Sequence, residues 1–546
     1  MKIFWLILAA LLPAVAWAAP PEAKQGTASV TVRMAPDGVN ATVILDHAVT
    51  SFTFQDADVV RSGELDVLTP GLSLTGDTVS AAQPFRRFDL RIRPMTQERD
   101  AKYPAHFRIG SGGVLYAPAL RADPKQWRTR LSFRTRPGEI RVPSGNAPDG
   151  FVFIGPANLR RDDAQITLVA DPAAPVWLVE RSRTALAAAV STYTAALGAP
   201  LPIKPLLIVR HEDGDRNFNV GDVTPGPVTA LRFHGPAWRQ PDEQAGRGIQ
   251  SFVQHEAFHF WNGGLASHAL ETPTWLHEGG AEYGALLAGV RSGLLSEDDA
   301  ARRLGEALSK CRTAVQASGD KGLNSYKFLP AQFRYPCGMA IQWAADLHVR
   351  RESGGKRSVL DAWAETIRVA RGRQDRSYAL ADFYAAAGIE PGRTLAPIAL
   401  LTVESGPGRW EKLAGAFGAL GAEVAEVPSP PGRRAALLFH LLKENCRDLP
   451  KGTGYGFYID GTTLKLDAPK GCGVLAGDPL LQTIEGGDPF EMSAETYAAV
   501  QRKCAAKAPV AILLSDGRRI EAPCATPLPG APRDYQVKRW KPQPLG

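Results

Sequence analysis

Over the first 180 residues, apolar and polar positions alternate in short runs. Ala28-Ser29-Val30-Thr31-Val32-Arg33-Met34 and Ala41-Thr42-Val43-Ile44-Leu45 show the pattern, and Phe88-Asp89-Leu90-Arg91-Ile92 and Arg130-Leu131-Ser132-Phe133 continue it. A period of two, broken by Pro, Gly and Asp, predicts half-buried strands joined by turns. Many such strands predict a β-sandwich over residues 20–180. From residue 181 the period lengthens. Residues 181–197 are Ala-rich and helical, 205–209 and 228–233 read as strands, and helical spacing then dominates to about 389. One helix is predicted at about 248–262, with Gly263-Gly264 as its C-cap. The next begins at Thr272-Pro273, an N-cap followed by Pro at the first helical position. Further helices are predicted at about 337–352, 356–371 and 378–387, completing an α+β domain over 181–402.

Residues 403–435 hold Ser405-Gly406-Pro407-Gly408 and Pro428-Ser429-Pro430-Pro431-Gly432, a linker pattern. A compact mixed segment follows over 436–530, with a helix at about 493–503 and a strand at 510–514. Residues 531–546 read as a tail. The expected fold is therefore multidomain: sandwich, helix-rich α+β domain and small C-terminal α/β domain.

Charge adds little. The chain of 546 residues carries +7, from 63 basic against 56 acidic side chains scattered along it. The tail Lys538-Arg539-Trp540-Lys541 is the longest basic cluster, so nucleic-acid binding is not expected. The first residues change the picture more. Met1-Lys2, an apolar run over 3–17 and Ala16-Trp17-Ala18 form a signal peptide ending near residue 19. No later segment is long and apolar enough to span a bilayer. All six cysteines, Cys311, Cys337, Cys446, Cys472, Cys504 and Cys524, follow that leader. An even count in an exported chain predicts disulfides, one in the first pair and two among the last four, whose connectivity stays open. The compartment is periplasmic or extracellular, for a bacterial host.

The chemistry lies at His255-Glu256-Ala257-Phe258-His259 and at Glu278, which follows after 18 intervening residues. Histidines four apart stack on one helix face and can hold a Zn²⁺ ion from one side. Glu256 then projects beside the metal and can take a proton from a bound water. Glu278 is the third ligand candidate, leaving one tetrahedral position open. His277 and His268 are rival ligands; successive helix positions diverge by about 100°, which favours Glu278 over His277. Glu282, one turn after Glu278, can accept a hydrogen bond from the distal nitrogen of a ligand histidine. Tyr335 is the candidate donor to an oxyanion, with Tyr283 a weaker one.

H-E-x-x-H, 18 residues and Glu resemble the gluzincin metallopeptidases. His259-Phe260-Trp261-Asn262 and Trp275-Leu276-His277-Glu278-Gly279 resemble most closely the glycyl-aminopeptidase family. Arg334-Tyr335-x-x-Gly338, leading into Asp346-Leu347-His348-Val349-Arg350-Arg351-Glu352-Ser353-Gly354-Gly355, is similar to that family's segment after the zinc site. The resemblance implies a thermolysin-like catalytic domain with one Zn²⁺, a transition-state role for Tyr335, a peptide or protein substrate and a C-terminal PDZ-like domain. Gly454-Tyr455-Gly456-Phe457 matches the PDZ carboxylate-binding turn, and Gly477-Asp478 precedes its second half. One departure stands out. Related aminopeptidases carry a Gly-x-Met-Glu-Asn edge strand whose Glu holds the substrate amine. The corresponding segment here is read as 226–235, expected to be the edge strand; it has no acid and contains Arg232. The expected activity is peptide hydrolysis, by an aminopeptidase-like or endopeptidase action. A scaffold that binds peptides through the PDZ-like domain is the alternative.

Overall fold

In the computed structural model the alternating N-terminal segments are strands with their apolar side inward. Along Gly26–Ala35 buried and part-exposed positions alternate, with Ala28, Val30, Val32 and Met34 inside. The structure describes residues 25–541 except 56–58, 62, 99–101, 145–148, 215–216, 327–328, 391–393, 448, 450–453 and 461–462. The expected leader, 1–19, lies outside them. Gly26–Ala35 sits between Trp127–Arg134 and Gly38–Thr53 in a six-stranded sheet. A four-stranded sheet of Glu139–Val142, Phe151–Pro156, Gly112–Tyr116 and His106–Ile109 faces it. Gly112–Tyr116 is buried at every position and Phe151–Pro156 at all but its last, so alternation is lost there. Strands covered on both faces lose it. The sandwich core also takes in Val169, Leu206, Ile208, Val228 and Ala230 from the next domain's sheet.

That second sheet has the order Arg160–Asp162, Thr167–Ala170, Leu206–Glu212, Val228–His234, Phe218–Thr224. Its first two strands fall in the segment read as sandwich. Thr167–Ala170 pairs in parallel with Leu206–Glu212, so the sheet of the helix-rich domain begins near residue 160 rather than 181. A short apolar strand carries no mark of which sheet it will join. The expected edge strand is also corrected. Val228–His234 lies between two neighbours, and the edge strand is Phe218–Thr224.

Helices cover the sheet's other face. They are α1 (Val176–Leu197), α2 (Glu243–His259), α3 (Thr274–Arg291), α4 (Glu297–Ala317), α5 (Ala331–Glu352) and α6 (Val359–Arg371). Asp242 caps α2, its carboxylate accepting from the Ala245 amide at 2.7 Å. α2 does not run to Gly263 as an α-helix: a π-helical turn spans Phe260–Leu265. Thr272 does not cap α3 either; its hydroxyl donates to the Tyr378 carbonyl, and Pro273 takes the capping position. α5 starts six residues before the expected Cys337, at Ala331, and carries Pro336 within its opening turns. Pro336, sixth in the helix, lies past the free first amides and withholds the bond that the Gln332 carbonyl would otherwise accept. Tyr335 is thereby part of α5 rather than ahead of it.

α3 and α5 cross with their backbones in contact. A Cβ on Gly279 would collide with the backbone of Gly338, so two glycines permit the approach. That crossing sets Tyr335 near Glu278. Cys311–Cys337 joins α4 to α5.

The expected linker is structured. It contains a helix Gly408–Gly418, the strand Glu423–Pro428 and the start of a helix Pro430–Asn445. The expected tail supplies the strand Arg533–Arg539, antiparallel to Glu423–Pro428. This ribbon rests on the helix-rich domain. Trp343 donates to the Trp540 carbonyl at 2.8 Å, and the Tyr535 hydroxyl to the Trp410 carbonyl at 2.7 Å. The C-terminal domain is thus inserted between the two strands and held at both ends. It has its own apolar core, a five-stranded antiparallel sheet in sequence order, helices Pro430–Asn445 and Ala494–Ala505, and the pairs Cys446–Cys472 and Cys504–Cys524. Among the described residues no helix is long and apolar enough to cross a membrane.

Candidate metal centre and active site

α2 and α3 bring His255, His259 and Glu278 together. Nε2 of His255 and Nε2 of His259 are 3.2 Å apart, and Glu278 Oε2 lies 3.4 and 3.5 Å from them. The three atoms form a nearly equilateral triangle. Zinc bonds of about 2.0–2.1 Å in a tetrahedron imply ligand–ligand edges of about 3.3 Å, so the donor set fits a zinc ion with one position left over. Burial opposes charge on Glu278 and on His255. For Glu278, hydrogen bonds to His255 and His259 outweigh burial and hold its carboxyl far below the usual range. For His255, bonds to Glu278 and Glu282 outweigh it and raise the imidazole well above its ordinary value. A divalent cation bound by these three atoms would release any proton they carry.

Each distal nitrogen has a polar neighbour. Glu282 Oε1 lies 3.2 Å from His255 Nδ1, where the sequence places it. His259 has a partner that sequence reasoning missed. Its Nδ1 meets Asn262 Oδ1 at 2.9 Å, while Asn262 Nδ2 donates to the His277 carbonyl at 2.9 Å. The second bond orients the amide, so Nδ1 of His259 must donate and Nε2 is left as the acceptor facing the triangle. The π-helical turn is what places Asn262 there, and Tyr378 secures it by donating to the Asn262 carbonyl at 3.0 Å. The rival ligands stand outside the triangle. His277 stacks on His259 at 4.4 Å and its Nδ1 meets Tyr378 Oη at 3.1 Å; the ring of His268 lies 4.7 Å from that of His277.

Glu256 and Tyr335 line the same cavity of about 630 Å³ as the three ligands. Burial, with Glu278 and Asp222 nearby, pushes the Glu256 carboxyl up to about 7 against the pull of His255 and His259. Tyr335 packs 5.7 Å from the His255 ring, and Arg334 Nη2 donates to its oxygen at 3.3 Å. Burial and Glu278 raise its phenol, which keeps the O–H available as a donor. Tyr283 is core: it is fully buried and donates to Asp346 at 2.8 Å.

A second charged cluster borders the cavity. Arg232, 1% exposed, donates from Nε and Nη2 to Glu98 at 2.6 and 2.9 Å and from Nη1 to Asp222 at 2.6 Å. His234 Nε2 lies 3.1 Å from Glu98. Glu98 arrives from the sandwich and Asp222 from the edge strand, so the acids missing from 226–235 are supplied elsewhere. Arg232 is already neutralised, and it does not confront the cavity as a free cation. The two carboxylates respond differently. Burial works against ionisation of Glu98, yet bonds from His234 and Arg232 bring it down to about 2. For Asp222 burial wins and its carboxyl is raised.

No protein-family model matches the sequence, and no curated relative does. Solved structures do match. An aminopeptidase N family protein from Idiomarina loihiensis superposes with a TM-score of 0.57 at 13% identity, over 94% of this chain and 98% of that one. The fold is shared with that protein. A Legionella pneumophila aminopeptidase A, in complex with aspartic acid, gives a TM-score of 0.43 at 12% identity over 74% of this chain and 51% of its own.

Proposed function

We propose that the protein is an exported zinc-dependent peptidase of the gluzincin type, with His255, His259 and Glu278 as ligands of one Zn²⁺. The observation that carries this reading is the donor triangle, with sides of 3.2, 3.4 and 3.5 Å, opening into a cavity lined by Glu256 and Tyr335. Zinc there supplies Lewis acidity and a water of lowered pKa. Glu256 takes the proton of the attacking water and passes it to the leaving amine. The Tyr335 phenol donates to the carbonyl oxygen as that atom gains charge. Glu282 and Asn262 hold the two imidazoles in the tautomer that ligation needs. Substrate backbone aligns on the edge strand Phe218–Thr224, in place of the expected 228–233, by β-augmentation. The aminopeptidase N family neighbour shares this fold and supports the peptidase reading.

Three disulfides fit an oxidising compartment. A PDZ-like role for the C-terminal domain is supported by Gly454-Tyr455-Gly456-Phe457, which leads into the outer strand Gly456–Asp460 of its sheet.

The test is metal analysis of the purified protein together with a mixed-peptide library, cleavage sites being mapped by mass spectrometry. One zinc per chain is expected, with cleavage lost on chelation and restored by zinc. Cleavage that survives complete metal removal would sink the proposal.

A further inference from the structure

Tyr335 stands on a stretch of helix that its own backbone holds weakly. Pro336 has no amide hydrogen to offer, and Ala331 and Gln332 at the start of α5 are exposed. Arg334 acts only on the neighbouring phenol. Its Nη2 donates to Tyr335 Oη at 3.3 Å, which turns the phenol's own proton away from the guanidinium. Three other contacts set where this turn sits against the donor triangle. Phe333, fully buried, packs at 5.3 Å on Tyr326. Gly338 lies against the backbone of Trp275 and Gly279 in α3. Between them Cys337, two positions after Tyr335, is bonded to Cys311 of α4. The first two are packing contacts, in which the surfaces can slide; the third is covalent.

A tether is only as firm as its far end. On α4, Gly305, Ser309 and Arg312 follow one another along a single helix face, and all three meet the ribbon. A Cβ on Gly305 would strike the Tyr535 carbonyl, so the two backbones touch there. The Ser309 hydroxyl accepts from the Tyr535 amide at 2.9 Å, and Arg312 pairs with Glu426 at 3.3 Å. Both ribbon strands therefore grip α4 beside Cys311. We infer that Cys311–Cys337 is a positioning device for the reaction: it carries this grip to the opening turn of α5 and keeps the Tyr335 phenol in reach of the developing oxyanion. The inference rests on the peptidase reading, which gives Tyr335 its task. The requirement is tight, because a displacement of about 1 Å can cost about a hundredfold in rate.

The test is a double-mutant cycle on zinc-loaded protein, with a peptide that the wild type cleaves. Cys311→Val together with Cys337→Ala removes the bond and keeps a fully buried site apolar. Zinc content and KM should stay near wild type while kcat falls about tenfold. Tyr335→Phe should cost about a hundredfold in the wild type and no more than about tenfold in the untied protein, because a donor already out of place has less to lose. Gly305→Ala pushes α4 off the ribbon with the bond intact. It should shrink the Tyr335 factor in the same sense, and it decides the matter if the untied protein does not fold. An unchanged Tyr335 factor overturns the inference. So does zinc lost in step with turnover, since the bond would then support the whole site. If the wild type cleaves no peptide, the peptidase reading falls and amide exchange decides the rest. Faster exchange confined to residues 331–339 in these variants supports the tie as the hold on Tyr335. Unchanged exchange there, or an equal rise across α2 and α3, overturns it.

Discussion

Two buried charged clusters border one cavity, and they were assembled in opposite ways. The donor triangle and Glu282 come from positions 255 to 282, on two consecutive helices. The Arg232 cluster draws Glu98 from the sandwich, Asp222 from an edge strand and His234 from the strand beside it. In the first, carboxylates and imidazoles gather around a place where a cation fits. In the second, the cation is already built in as a guanidinium. The difference teaches where charge can act: the first cluster is poised to take up an ion, while the second locks the sandwich to the sheet of the helix-rich domain.

The largest expected effect separates chemistry from architecture. Glu256→Gln should keep its zinc and lose peptide cleavage by about three orders of magnitude or more. Metal content and turnover measured on one preparation check it, and near wild-type turnover would remove Glu256 from the mechanism. Next comes the built-in cation. Arg232→Met removes the guanidinium that the buried Glu98 and Asp222 share, and stability should fall by about 3–5 kcal/mol. Adding Glu98→Gln and Asp222→Asn should restore much of that loss. Urea unfolding reads both; an unchanged midpoint in Arg232→Met would mean that the cluster carries no such lock.

The same cluster makes a pH prediction. The Glu98 carboxyl falls from 4.5 to about 2 on folding, so its contribution is complete above pH 4.5 and is lost as pH drops towards 2. It is partly open to the cavity, which reduces the contribution to about 2 kcal/mol. Wild type should therefore lose more stability than Glu98→Gln across that window. Parallel stability curves for the two proteins would show the ion pair to be inert. The smallest effect concerns tautomer control. Asn262→Ala should weaken zinc binding about 10–100-fold. Chelator competition measures it, and unaltered affinity would show that His259 needs no guide.

Legibility followed locality. His255, Glu256, His259, Glu278 and Glu282 could be read because a helix fixes which side chains share a face within a few residues. Asn262 stood inside the motif, but its role depended on a π-helical turn where Gly263-Gly264 had pointed to a plain C-cap. Tyr335 was a candidate from its chemistry and its place before a helix, strengthened by resemblance, and the Gly279–Gly338 contact explains its placement. Glu98 had no signal at all: it is an acidic residue 134 positions from its guanidinium partner.

By itself the sequence determined the alternating strands, the helical H-E-x-x-H motif and the grouping of cysteines, because each depends on side-chain periodicity or composition within a short stretch. Tertiary structure alone decided which strand is the edge, which sheet receives Thr167–Ala170 and how Glu423–Pro428 finds Arg533–Arg539. Strand pairing uses backbone hydrogen bonds that every residue type except proline can make, so partners far apart in the chain are chosen by the packing of the whole rather than by any local mark.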